Sequence, residues 1–440
     1  MGVIKFGTDG IRGRVGESPI DCQTILHLGW SLGRMVYESH GPSKIIIGKD
    51  TRISGYMIES LLEAGIIAAG CDALLLGPVP TPGIAYLTKA FRSKASVVIS
   101  ASHNVYSDNG IKIFNEEGYK FSTDQQQMLL NYMSSPIQMV PSENLGRAQQ
   151  IHTASERYVE FCKSKFSSKL SLNGIKVVLD CANGANYKVG PEVFVELGAT
   201  VEVIHAKPDG TNINKACGSL HPNVLSAVVL EKEADLGIAF DGDGDRLIMV
   251  SKSGRVCDGD DILYILGQYL CQKHMGVVGT IASNNGLKKA FASSDIAYKQ
   301  TNVGDHKVIE SLLESGWLIG GESSGHLIQL DKNTCSDAII SALTVLNIML
   351  HEGKSLDELV AGFEKMPSYS FNIPKSDNLN LSEYEVAFEQ MRSELGPFGK
   401  LLVRPSGTEP VIRVLVECEH SKVIQQVSSE LKTMFNYVQN

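Results

Sequence analysis

The chain has 440 residues, a hydrophobic content of 43% and a formal net charge of −9. That length suggests about three domains, and the apolar content is ample for several packed cores. The acidic balance and the lack of any Lys/Arg run argue against a nucleic-acid surface or a polybasic membrane anchor, but allow a local basic pocket for a phosphorylated small molecule.

There are nine cysteines, an odd number with no C-x-x-C pair. They predict a reduced, cytoplasmic protein in which most serve as small buried hydrophobes. No apolar signal core accompanies Lys5-Phe6-Gly7-Thr8-Asp9-Gly10, Phe6 stands where a myristoylation signal at Gly2 would need Ser or Thr, and no run is long enough to span a bilayer.

In chain order, apolar β-branched runs alternate with helical patterns, which predicts α/β architecture with largely parallel strands. Lys44-Ile45-Ile46-Ile47-Gly48 is the first buried-strand candidate. A helix follows around Met57–Ala64, with Ile58, Leu61, Leu62 and Ile66 as its apolar stripe. Ser96-Val97-Val98-Ile99 leads into Ser100-Ala101-Ser102-His103-Asn104. The polar stretch Ser134 to Gln150 reads as a first boundary. The theme then recurs: Ile175–Leu179 leads to Asp180-Cys181-Ala182-Asn183-Gly184, and Ala234–Phe240 leads to Asp241-Gly242-Asp243-Gly244-Asp245-Arg246. A turn-like break at Ser251-Lys252-Ser253-Gly254 reads as a second boundary. Val277–Ile281 and Trp317–Gly320 each precede polar loops. Pro367 to Ser382, rich in Pro, Ser, Asn and Asp, reads as a linker. Beyond it, Leu401–Arg404 and Val411–Val416 predict two strands joined by a polar loop, then a helix over Val423 to Phe435. The expected organisation is three α/β units (1–150, 151–252, 253–366) and a small C-terminal α+β unit (367–440).

Four segments carry chemistry. Asp241, Asp243 and Asp245 follow a buried strand, and three crowded carboxylates repel unless a hard cation such as Mg²⁺ joins them. A calcium EF-hand is excluded, because Arg246 and Lys252 occupy the loop positions that need Gly and an acid. Ser102, at a strand end, suits a nucleophile or phosphoryl carrier if a base or metal activates it. A Ser102–His103 dyad is not expected, since neighbours on a strand point to opposite faces. In Arg404-Pro405-Ser406-Gly407-Thr408, Arg404 offers a fork for phosphate oxygens, Ser406 and Thr408 offer hydroxyls, and Gly407 permits a backbone anion nest. Glu322, Ser324 and His326 suit sugar hydroxyls. Gly321-x-Ser323-x-Gly325 also matches a hydrolase nucleophile elbow, but that needs a helix after the Ser, and His326–Leu330 reads as a strand. Neither a P-loop nor a complete dinucleotide loop is present.

Together these motifs, with Phe6–Gly13, Ile47–Arg52 and Gly77–Pro82, resemble the α-D-phosphohexomutase superfamily over nearly the whole chain, and its bacterial glucosamine-phosphate branch most closely. The resemblance implies three related α/β domains with mixed, mostly parallel sheets and a smaller C-terminal α+β domain around a central cleft. It also implies interconversion of glucosamine 6-phosphate and glucosamine 1-phosphate, feeding UDP-N-acetylglucosamine and peptidoglycan synthesis. By position it makes Ser102 the phosphoserine, and Ser102, Asp241, Asp243 and Asp245 the Mg²⁺ ligands. It sets Lys112, Arg246 and His326 near the phosphoryl transfer. Arg12, Glu322, Ser324, Arg404, Ser406, Gly407, Thr408 and Arg413 become substrate contacts. A glucosamine 1,6-bisphosphate intermediate and a homodimer belong to the same implication. Lys112 and His326 remain alternatives for the general base. Three positions depart from the family pattern: Val105 where Pro is usual, His306 where Arg is typical, and Ser323 in place of Gln beside Glu322. A sister mutase for glucose or mannose phosphates and a non-catalytic sugar-phosphate-binding protein are the rival readings.

Overall fold

The computed structural model describes residues 6–7, 10–271, 275–374, 380–405 and 411–435. The described residues fall into two compact units: Met1–Ile281 with Lys299–Val360, and Ala282–Tyr298 with Ala361–Asn440.

In the larger unit the first sheet runs Ile11–Arg14, Asp108–Asn115, Ala95–Ile99, Lys44–Lys49, Asp72–Pro78, Ala148–Gln150. Its inner strands Ala95–Ile99, Lys44–Lys49 and Asp72–Pro78 are parallel. Ala95–Ile99 is buried throughout, as parallel strands covered on both faces should be. The helix predicted around Met57 spans Ser54–Ala68, and its Ile58, Leu62 and Ile66 are fully buried. The second sheet runs Val256–Cys257, Leu247–Ser251, Leu236–Phe240, Lys176–Asp180, Thr200–Ile204. Ser251–Gly254 is a hairpin turn within it, closed by the Gly254 N–H on the Ser251 carbonyl at 2.9 Å. In the third sheet Gly276–Thr280 pairs in parallel with Ile319–Gly321, which pairs antiparallel with Leu327–Gln329. The mixed sheets place Ser100–Asn104, Asp180–Gly184 and Asp241–Arg246 just past carboxyl ends of parallel strands, where open α/β sheets bind ligands.

The smaller unit has the antiparallel sheet Ser368–Pro374, Val411–Glu417, Lys400–Pro405. The linker expected over Pro367 to Ser382 is therefore corrected: its first half is a strand paired over seven residues with Val411–Glu417. Tyr369, Phe371 and Ile373 alternate with Ser368, Ser370 and Asn372, a half-buried-strand pattern that Pro/Ser/Asn composition had masked. Pro374 is tolerated because it ends an edge strand. The predicted C-terminal helix spans Ser421–Met434. Among the described residues no helix is long and apolar enough to cross a membrane, and all nine cysteines are free.

Candidate active site

The site is built around Ser102, which is 1% exposed. Its φ is 51°, so the chain has left the strand conformation at this residue. A left-handed conformation at a non-glycine residue costs of order 1 kcal/mol or more and persists only where its surroundings hold it. Arg52 does much of that holding. Fully buried, it donates through Nη2 to the carbonyls of Ser102 (3.0 Å) and Asn104 (2.8 Å), and through Nη1 to those of Asp108 (3.1 Å) and Val105. Its Nε is paired with Asp50 Oδ2 at 2.8 Å. The Asn214 amide adds bonds to the same Ser102 and Asn104 carbonyls at 2.8 and 3.0 Å. Val105 supplies no ring to stiffen this loop, and the buried guanidinium ties it down instead.

Arg52→Met is expected to destabilise the protein by about 3–5 kcal/mol, because Asp50 would keep a buried charge without its partner. Burial already pushes the Asp50 carboxyl above its ordinary range, with Arg52 opposing the shift. A urea titration against wild type measures the loss.

Ser102 Oγ donates to Asp241 Oδ2 at 2.7 Å. Asp241, Asp243 and Asp245 are all buried, and one carboxylate oxygen from each lies within 4.8 Å of the others. The backbone turns tightly here, with Gly244 at φ 74°, and a Cβ on Gly242 would sit 2.6 Å from the Ser102 carbonyl oxygen. Only glycine lets the two loops approach this closely. Burial, then repulsion from Asp245 and Asp243, raises the Asp241 carboxyl well above its usual range. Lys112 Nζ sits between Asp243 Oδ2 (2.7 Å) and Asp245 Oδ2 (2.8 Å), and Thr81 Oγ1 donates to Asp243 Oδ2 at 2.5 Å. Asp243 Oδ1 is buried without a hydrogen-bond partner. Three carboxylates beside the Lys112 ammonium and the Arg246 guanidinium, with one buried oxygen left over, fit a divalent hard cation.

His326 accepts from Arg246 Nε at its Nε2 (3.0 Å), so its proton sits on Nδ1, which lies 3.0 Å from Ser336 Oγ. That tautomer follows from the partners. Its Nε2 lone pair is therefore occupied, and Lys112 is held as an ammonium by two carboxylates. His103 was not expected to meet Ser102, yet its Nδ1 lies 3.4 Å from Ser102 Oγ. The alternation rule failed because φ 51° at Ser102 breaks the strand geometry it assumes. Burial, then Arg246 and Arg12, pushes the His103 imidazole down to about 4, so it is neutral at physiological pH.

Glu322, Ser324 and His326 lie on the tight connection between Ile319–Gly321 and Leu327–Gln329. Glu322 is buried and its Oε1 accepts the Gly304 N–H at 2.9 Å, while Ser324 is exposed at the tip. A strand, not a helix, follows Ser323, which removes the nucleophile-elbow reading. This loop joins the acid loop through the Leu247 N–H on the Gly325 carbonyl (3.0 Å) and the Arg246–His326 bridge. Arg12 lies on Ile11–Arg14, opposite Gly110. A cavity of about 770 Å³ opens beside Lys112, lined also by Tyr119, Lys120 and His306. In the smaller unit Arg404 and Arg413 are register partners on neighbouring strands. Ser406, Gly407 and Thr408 lie outside the described residues.

The chain matches four phosphoglucomutase/phosphomannomutase family models: α/β/α domain I over residues 3–138, domain II over 156–254, domain III over 258–366, and the C-terminal domain over 352–433. It is 50% identical over 424 residues to a phosphoglucosamine mutase of Chromohalobacter salexigens, covering 94% of each chain. It is 48% identical over 439 residues to one of a Marinomonas species, covering 98% of each. Among solved structures, a phosphoglucomutase/phosphomannomutase family protein of Burkholderia thailandensis superposes with a TM-score of 0.81 at 22% identity, covering 98% of this chain and 97% of that one. An Aspergillus fumigatus N-acetylphosphoglucosamine mutase, in complex with GlcNAc-6P and magnesium, gives 0.67 at 14% identity, covering 98% and 95%. With all four domain models matched in order and relatives near half identity over nearly their full length, the chain belongs to the phosphoglucomutase/phosphomannomutase family.

Proposed function

We propose that this protein interconverts glucosamine 6-phosphate and glucosamine 1-phosphate in the cytoplasm, through a phosphoserine at Ser102 and a 1,6-bisphosphate intermediate. The observation that carries the reading is Ser102 Oγ at 2.7 Å from Asp241 within a buried acid cluster, on a loop that four Arg52 hydrogen bonds hold in place. The choice of sugar follows the curated relatives, which are named phosphoglucosamine mutase.

In the forward half-reaction the phosphorus–Oγ bond of phosphoserine 102 breaks, a bond forms from phosphorus to the sugar 1-hydroxyl oxygen, and the proton which that hydroxyl gives up restores the Ser102 hydroxyl. In the return half-reaction the bond from phosphorus to the sugar 6-oxygen breaks, Ser102 Oγ takes the phosphoryl group, and the Ser102 hydroxyl proton ends on the 6-oxygen. Asp241 Oδ2 already accepts that proton at 2.7 Å and is the nearest acceptor, with His103 Nδ1 further off at 3.4 Å. Lys112 and Arg246 hold positive charge beside the reacting oxygens, where preorganised electrostatics supplies most of the rate. A Mg²⁺ held by Asp241, Asp243 and Asp245 would add charge neutralisation of the phosphoryl oxygens. Arg12, Glu322 and Ser324 position the sugar, and the Arg404–Arg413 pair, with Ser406, Gly407 and Thr408, holds the phosphate that is not reacting. A mutase needs that second anion site, because either phosphate must be gripped while the other transfers.

The test is a turnover panel with Mg²⁺ and a trace of the matching bisphosphate. Glucosamine phosphate is expected to be preferred at least about tenfold in kcat/KM over N-acetylglucosamine, glucose and mannose phosphates. Preference for glucose or mannose phosphate would retain the mechanism and overturn the substrate. No turnover on any sugar would favour a binding protein.

A further inference from the structure

A second cluster of metal-ligating side chains lies outside the site just described. Asp180 ends strand Lys176–Asp180, and His205 immediately follows the parallel strand Thr200–Ile204, with Asp180 and Ile204 in register. Cys217 comes from the loop that returns across these strand ends just before the turn Gly218–Leu220. One carboxylate oxygen, one ring nitrogen and the sulfur lie within 4.8 Å of one another. Asp180 and Cys217 are buried, and the His205 side chain is about a third exposed.

The details suit a metal. His205 Nδ1 is buried 3.1 Å from Asp180 Oδ1, a pairing that raises the imidazole above its ordinary range when no ion is bound. In a tetrahedral zinc site, nitrogen and oxygen ligands stand about 3.3 Å apart, and a sulfur stands slightly further from each. Asp180 is already oriented from behind: Oδ1 accepts the Ala182 N–H at 2.9 Å, and Oδ2 accepts the Gly218 N–H at 2.8 Å. Such outer bonds fix the ligand before the ion arrives.

We propose that Asp180, His205 and Cys217 form a second cation site, selective for a borderline-soft divalent ion of the Zn²⁺ class and distinct in chemistry from the all-carboxylate cluster. Thiolate and imidazole ligands favour zinc and its neighbours, while Mg²⁺ requires oxygen. Three protein ligands leave a fourth position for water. The ion would join three segments that support the Ser102 loop. Asn183 donates its backbone N–H to the His205 carbonyl at 2.6 Å and accepts Thr51 Oγ1 on its own carbonyl at 2.5 Å. Asn214, between His205 and Cys217 in sequence, donates its backbone N–H to the Ala182 carbonyl and its amide to the Ser102 and Asn104 carbonyls. A metal here therefore braces the second layer behind the reacting serine without touching substrate.

The test uses the full chain, reduced and metal-free, titrated with Co²⁺ under saturating Mg²⁺ so that the carboxylate cluster is filled. A thiolate-to-cobalt charge-transfer band is expected, saturating at one Co²⁺ per chain and bleached by Zn²⁺. Cys217→Ser should abolish the band. His205→Asn, which tolerates the φ of 50° at that position, should weaken Co²⁺ binding at least about tenfold. Asp241→Asn should leave the band intact. Absence of the band in wild type, or its survival in Cys217→Ser, overturns the proposal. Should Cys217→Ser not fold, His205→Asn decides alone, and unchanged affinity in that variant rejects the site.

Discussion

Ser102→Ala is expected to cut mutase turnover by at least about 10⁴-fold while leaving the protein folded. Ser102 Oγ is proposed as the atom that carries the phosphoryl group, and neither His103 nor any acid of the cluster can replace it while still returning the group to the other end of the sugar. The structural loss is small. The 2.7 Å bond to Asp241 Oδ2 and the 3.4 Å contact with His103 Nδ1 are removed, and Asp241 Oδ1 keeps the N–H groups of Gly244 (3.1 Å) and Arg246 (3.2 Å). Loss of one such bond costs about 1–3 kcal/mol. Ser102→Gly is a useful companion, since glycine adopts φ 51° without strain and should fold at least as well as the alanine variant while remaining as inactive. Kinetic assay with thermal melts measures both. Residual turnover above about one per cent of wild type would remove Ser102 as the carrier.

Chelation should have an effect of comparable size. EDTA is expected to lower turnover at least about 10³-fold, with full recovery on adding Mg²⁺. Zn²⁺ alone should not replace it if hard-cation chemistry governs the carboxylate cluster. The same ion should appear in stability. Without it, burial and mutual repulsion hold the Asp241 carboxyl well above its usual range, with Arg246 opposing the shift, and the Lys112 ammonium pairs with Asp243 and Asp245. Binding to the folded state alone stabilises by about 2.7 kcal/mol at a hundredfold excess over Kd, a rise in Tm of roughly 3–8 °C. Asp241→Asn removes one repelling charge. The metal-free variant should therefore melt no lower than metal-free wild type, yet lose most of the Mg²⁺-dependent rise and most of the activity. Full activity in chelator, or an undiminished Mg²⁺ shift in Asp241→Asn, would reject the metal reading.

Much of this was legible in the linear order of residues. Buried strands such as Leu236–Phe240 declare themselves as short apolar runs, and the polar residues after them mark the ligand-binding edge. The spacing of Asp241, Asp243 and Asp245 carried its own chemistry, because glycines between acids serve a turn that converges them. The C-terminal strand Ser368–Pro374 was equally present as an alternation of apolar and polar residues, but composition pointed to a linker and obscured it.

Other features depend on contacts between residues far apart in the chain. Ser102 and Asp241 are 139 positions apart, and Lys112 and Asp245 are 133 apart. No local pattern encodes such distances, which arise when separate sheets pack with their strand ends together. Arg52 ends a motif that carries the family resemblance without a role of its own, and only packing shows it buried against four carbonyls. His103 meets Ser102 because the loop is bent out of strand geometry by those same contacts. The grouping of Asp180, His205 and Cys217 likewise rests on two parallel strands ending side by side beneath a returning loop. Local sequence encodes which groups can do chemistry and where each strand ends, since propensity and periodicity act over a few residues. Which of those groups meet is decided by the packing of the sheets, since the contacts that hold them together are long-range.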